Sequence, residues 1–113
     1  MKISVRTQGF ERSAAIDEYT RDHVKVTMNR FAYSIRSVDV FMKDVNGPKG
    51  GVDKQVLLRI KMCNGQQLAL QTVKSDLYAA ISISAKRAKR VVRRSIRKSR
   101  RVDKTNLRDL VSA

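Results

Sequence analysis

The sequence predicts an α+β fold of order β-α-β-β-β-α: a four-stranded mixed sheet with two helices packed on one face. Three observations predict it. Apolar and polar residues alternate over four short stretches, the period of half-buried strands. Apolar residues recur at helical spacing over two longer ones. Asn64-Gly65 joins the third and fourth alternating stretches as a hairpin. A right-handed crossover sets the first two strands parallel, and two hairpins complete the sheet.

Each element has its own signal. Lys2–Thr7 alternates, with Ile3, Val5 and Thr7 on one face, and Gln8-Gly9 ends it. Ser13 caps a helix whose positive N-terminal end suits Asp17 and Glu18. Its apolar arc is Ile16, Thr20, His23, Val24, Thr27 and Phe31. The stretch 35–43 returns to period two, with Val38, Val40 and Met42 inward, and 46–51 is a loop by composition. The strand at 55–62 buries Val56, Leu58, Ile60 and Met62, and 67–72 buries Leu68, Leu70 and Thr72. The outer sheet face then shows Lys2, Arg6, Asp39, Lys43, Gln55, Arg59, Lys61, Gln67 and Gln71 to water. Ser75 or Asp76 caps a final helix running to about Arg101, roughly 40 Å long at the standard rise. Two units follow: a domain over 1–101 and a short, flexible tail over 102–113.

Composition narrows the function. The 113 residues suffice for one core and not for two. With 25 Lys+Arg against 10 Asp+Glu the net charge is +15, which points to a polyanionic partner. Hydrophobic content of 42% is too high for a disordered basic tail. A single Cys excludes a disulfide framework, and one Cys with one His leaves no metal cluster, so no cofactor is expected. The absence of a long apolar run predicts no membrane span, and the alternating start predicts no secretion signal and a cytoplasmic address. Nothing assembles a nucleophile, a base and oxyanion donors, so the chain is not expected to be an enzyme or to hold a small-molecule substrate.

The last helix holds most of the charge. Ten of the sixteen residues from Lys86 to Arg101 are Lys or Arg, and none is acidic. At 100° per residue, Ala80, Ile81, Ser84, Ala85, Ala88, Val91, Val92, Ser95 and Ile96 fall in one arc. Lys86, Arg87, Lys89, Arg90, Arg93, Arg94, Arg97, Lys98, Arg100 and Arg101 fall in the other. Like charges at i,i+3 and i,i+4 repel, and a polyphosphate backbone relieves that repulsion and releases counterions. A solvated face without a partner and an anionic membrane surface are the competing readings; the small-residue apolar side disfavours the membrane. A single-strand platform on the open sheet needs two or three aromatics, and only Phe41 is there. His23 reads as a boundary residue between the helices. Cys63 reads as a small residue beside a turn, with no base near in sequence to activate it.

The strand–helix start, Ser37-Val38-Asp39-Val40, the Asn64-Gly65 hairpin and above all Ser75-Asp76-Leu77-Tyr78-Ala79-Ala80-Ile81 resemble the short ribosome hibernation-promoting factors, also called ribosome-associated inhibitor A or sigma-54 modulation proteins. The resemblance covers roughly residues 1–98. It implies the same β-α-β-β-β-α fold, similar to double-stranded-RNA-binding domains. It implies binding to rRNA of the small ribosomal subunit, in the channel of mRNA and tRNA, and inhibition of translation in stressed or stationary cells. On the last helix the matching positions are Arg87, Arg90, Arg93 and Arg94. With Arg97 they are expected to neutralise rRNA phosphates, supported by Lys86, Lys89, Lys98, Arg100 and Arg101, with Lys25 and Arg30 contributing from the first helix. His23 stands where the family usually has Lys, and Lys86 where it usually has an acid. The dimerisation domain of the long forms has no counterpart, so direct pairing of two ribosomes through it is not expected; the free chain is expected to be a monomer. The alternative is a general structured-RNA binder without ribosome specificity.

Overall fold

The computed structural model describes residues 1–9, 13–44 and 53–112, with side chains as far as Ser99. The order is β1 (Lys2–Gln8), α1 (Ala14–Met28), a 3-10 segment (Asn29–Ser34), β2 (Ile35–Asp44), β3 (Lys54–Met62), β4 (Gln67–Lys74) and α2 (Leu77–Ser112). The expected β-α-β-β-β-α order is therefore the one observed. The loop expected over 46–51 lies outside the described residues.

The sheet order is β1-β2-β3-β4. β1 runs parallel to β2, with Val5 opposite Val40 and Arg6 opposite Phe41. β2–β3 and β3–β4 are antiparallel. The parallel pair follows from α1, which supplies the crossover that returns the chain in the same direction. Period two then sorts the side chains. Val5, Val38, Val40, Met42, Val56, Leu58, Ile60, Met62, Leu70 and Thr72 are buried beneath the helices. The predicted polar positions take the other face.

Ser13 caps α1 as expected: its Oγ accepts a hydrogen bond from Ile16 N at 3.1 Å. Ile16, Thr20 and Val24 are buried, and so is Met28, which closes the i, i+4 row. The sequence arc placed Thr27 and Phe31 at this end instead. The helix tightens to 3-10 after Met28, which moves Phe31 off the α-helical row and leaves it half-buried. The Thr20 hydroxyl donates to Ile16 O at 2.7 Å, so this buried polar group is satisfied within the helix.

The Asn64-Gly65 hairpin takes a wider form than a two-residue turn. Gly65 N donates to Met62 O at 3.0 Å, and Met62 N donates to Gln66 O at 2.8 Å. Gly65 alone has a left-handed φ here, +91°. This is a turn closed by a left-handed glycine, and Asn64 contributes its side-chain Oδ1, which accepts from Gln66 N at 2.9 Å.

Asp76 is the cap of α2: its Oδ1 accepts from Tyr78 N at 3.2 Å, and its carbonyl accepts from Ala80 N at 3.0 Å. The backbone stays helical to Ser112, past the end expected near Arg101. No Gly or Pro occurs after Gly65, so nothing in the chain terminates the helix earlier. The molecule is accordingly elongated, 64 × 24 × 18 Å.

Candidate nucleic-acid interface

The final helix docks through small residues. Ala80, Ser84, Ala85 and Ala88 are buried together with Ile81, Val92 and Ser95. Short side chains bring the helix axis close to β3, β4 and α1. Two polar contacts fix its line along β4. Ser95 Oγ donates to Gln66 Oε1 at 2.6 Å. Arg87 Nη1 donates to Gln71 O at 2.7 Å and to Thr72 Oγ1 at 2.8 Å. Tyr78 meets Tyr19 edge-on at 4.7 Å, and Tyr19 stacks on His23 at 4.3 Å. His23 is therefore part of an aromatic joint between α1 and α2, as its boundary position suggested.

With that side committed, the opposite side of α2 faces outward. Lys86, Arg87, Arg90, Arg93, Arg94, Arg97 and Lys98 are exposed and Lys89 is half-buried. The side chains of Arg100 and Arg101 lie outside the described residues. Among the described residues no carboxylate lies within ion-pairing distance of any cation in this stripe; the described ion pairs are Arg21–Asp17 at 3.0 Å and Lys54–Asp44 at 3.1 Å, both elsewhere. Eight cations from Lys86 to Lys98 occupy about 18 Å of helix axis. That linear charge density approaches the one charge per ~1.7 Å of a nucleic-acid duplex. No carboxylate among the described residues compensates it, which is the electrostatic condition for holding a polyanion.

The expected residues are not all brought together. Arg30, from the 3-10 segment, shares a hollow of about 440 Å³ with Arg93 and Arg97, floored by Phe31, Tyr33 and Ile96. Lys25 lies apart, in a separate hollow with Met1, Ile3, Arg21 and Asp22. Arg87 is bound to β4, so only part of its guanidinium remains for an external partner. Tyr33, 73% exposed beside three arginines, went unnoticed in the sequence. The signal was there in Arg30-Phe31-Ala32-Tyr33, where cation and aromatics interleave.

No described helix is long and apolar enough to cross a membrane. Cys63 is exposed, with its Sγ 3.5 Å from Tyr33 O.

Comparison with known proteins follows the same line. The model of the family described as sigma 54 modulation protein / S30EA ribosomal protein matches residues 3–100. No curated protein matches the sequence. The fold is similar to the crystal structure of the Thermus thermophilus Protein Y N-terminal domain, with a TM-score of 0.68 at 20% identity over 83% of this chain and 98% of that one. It is also similar to a ribosomal subunit interface protein from Coxiella burnetii, with a TM-score of 0.70 at 17% identity over 84% and 97% of the two chains. At such identities these likenesses are likenesses of fold.

Proposed function

The chain belongs to the sigma 54 modulation protein / S30EA ribosomal protein family, and from that premise we propose that it is a cytoplasmic ribosome hibernation factor. It binds rRNA of the small subunit in the mRNA and tRNA channel and blocks translation during stress or stationary phase. It acts by occupancy, with no catalytic step. The observation that carries the reading is the acid-free stripe of α2. Arg90, Arg93, Arg94 and Arg97 neutralise phosphates, Arg30 joins them across the shared hollow, and Lys86, Lys89, Lys98, Arg100 and Arg101 extend the field along the helix. Arg87 combines a phosphate contact with its tie to β4, and Lys25 is an outlying contributor.

The test is saturable, stoichiometric binding to purified small subunits, with competition by mRNA or tRNA. The double substitution Arg90→Glu and Arg94→Glu is expected to abolish binding and translation arrest with the circular dichroism spectrum unchanged, because both side chains are exposed. A double variant that still halts translation in vitro overturns the helix assignment. Equal affinity for any RNA duplex favours the general structured-RNA binder instead. With about five phosphate contacts, the log–log dependence of affinity on salt has a slope of about −4.

A further inference from the structure

The sheet face turned away from the helices holds a second constellation that the α2 stripe does not use. Phe41 stands in the middle of this face. It is paired with Arg6 of β1 and Leu57 of β3 across the sheet. The Arg6 and Arg59 guanidinium carbons lie 5.6 and 5.8 Å from the Phe41 ring centroid. Both are within cation–π reach, about 6 Å, so the two guanidiniums lie over the half-buried ring and must swing aside for a base to stack on it. Phe41 and Leu57 floor an open hollow of about 460 Å³, rimmed by Arg6, Lys43 and Arg59 with the amides of Gln8 and Gln55. That volume is within the usual range for small-ligand sites, about 300–1,000 Å³.

We propose that this face is a second RNA-binding surface, on which an unpaired base of single-stranded RNA stacks over Phe41 and Leu57 while Arg6, Arg59 and Lys43 hold the flanking phosphates. With one aromatic where a single-strand platform uses two or three, the face takes one base and not a run of them. A flat apolar floor accepts a planar base, glutamine amides reach base edges, and arginines bind phosphate and stack on bases. Charge complementarity selects a polyanion. Lys2, Arg6, Lys43, Arg59 and Lys61 point outward here against Asp39, whose Oδ1 already accepts a hydrogen bond from Ser4 Oγ. The surface is independent of α2. The choice of RNA as the strand rests on the ribosomal reading, and the stacking site does not. A molecule basic on two opposite faces can touch both walls of an RNA cleft.

The chain contains no Trp, so Phe41→Trp places a single reporter in the site. The measurement uses the full chain with Arg90→Glu and Arg94→Glu also present, which silences the α2 stripe. A 12-nucleotide uridine oligomer is expected to quench the indole fluorescence of the Phe41→Trp variant saturably, and a duplex of equal length is not. In the same background, Phe41→Ala is expected to weaken oligomer binding, read by anisotropy, by about tenfold. The pair Arg6→Gln and Arg59→Gln is expected to weaken it as well. Both arginines are exposed, so this pair carries the test if Phe41→Ala does not fold. Fluorescence indifferent to the oligomer, equal quenching by the duplex, or unchanged affinity in the folded variants overturns the proposal. Subunit binding by the otherwise wild-type chain is scored separately, so failure here and failure of the ribosomal reading are distinguishable.

Discussion

Arg87 and Arg90 are one turn apart on the same helix face and do different work. Arg87 donates to the Gln71 carbonyl and the Thr72 hydroxyl, whereas Arg90 is exposed with no protein partner among the described residues. Replacing Arg87 by Ala is expected to cost about 1–2 kcal/mol in denaturant unfolding: charge-assisted hydrogen bonds are lost, discounted for their exposure. Replacing Arg90 by Ala is expected to change stability by less than about 0.5 kcal/mol, because it also relieves repulsion from its neighbours. Equal effects would mean that the Arg87 tie to β4 contributes nothing. Met28 is the residue-scale counterpart in the core. It is 0% exposed, and Met28→Ala is expected to cost about 2–5 kcal/mol. It lies on the i, i+4 row of Ile16, Thr20 and Val24, but the sequence reading closed that arc with Thr27 and Phe31, which requires α-helical geometry to continue where the chain tightens to 3-10.

Among the elements, α2 is shaped by the size of its buried residues. Ala88 is fully buried, and Ala88→Leu is expected to lower stability by about 1–3 kcal/mol through overpacking, read as a lowered Tm. Gly65→Ala places a side chain at φ +91° with nothing within 4 Å to clash. Its expected cost of about 1 kcal/mol is backbone strain alone, and Gly65→Asn should recover part of it. The sheet edges are guarded by the helices. Arg21 Nη1 donates to Ile3 O of edge strand β1 at 2.8 Å, as Arg87 does to Gln71 O of edge strand β4. Each arginine occupies a carbonyl that another strand would otherwise use. Neither contact was visible in the chain, where Arg87 read only as one cation of the outward arc.

At the scale of the whole molecule the dominant fact is a net charge of +15 on a rod-shaped body. Ser95 is the last buried residue among those with described side chains, and residues 102–113 contribute equal numbers of basic and acidic groups. We propose that the folding unit ends near Arg101. A chain cut to 1–101 is expected to keep its Tm within about 2 °C and its subunit affinity within about twofold. A larger loss of Tm places part of the core beyond Arg101; a loss of affinity alone assigns the end of α2 to the RNA contact.

Strand faces, helix faces and the acid-free stripe were determined by the sequence itself, since they depend only on period and composition, which are local properties of the chain. The Asp76–Ile81 segment added the family, because there residue identity, and not pattern alone, is distinctive. Which cations act as struts and which remain free was decided by tertiary structure. Arg87 reaches back to Gln71 on β4, Arg30 meets Arg93 and Arg97 only when the 3-10 segment lies against α2, and Arg6 and Arg59 converge on Phe41 only in the assembled sheet. These are distances between segments remote in sequence, and no period along the chain encodes them.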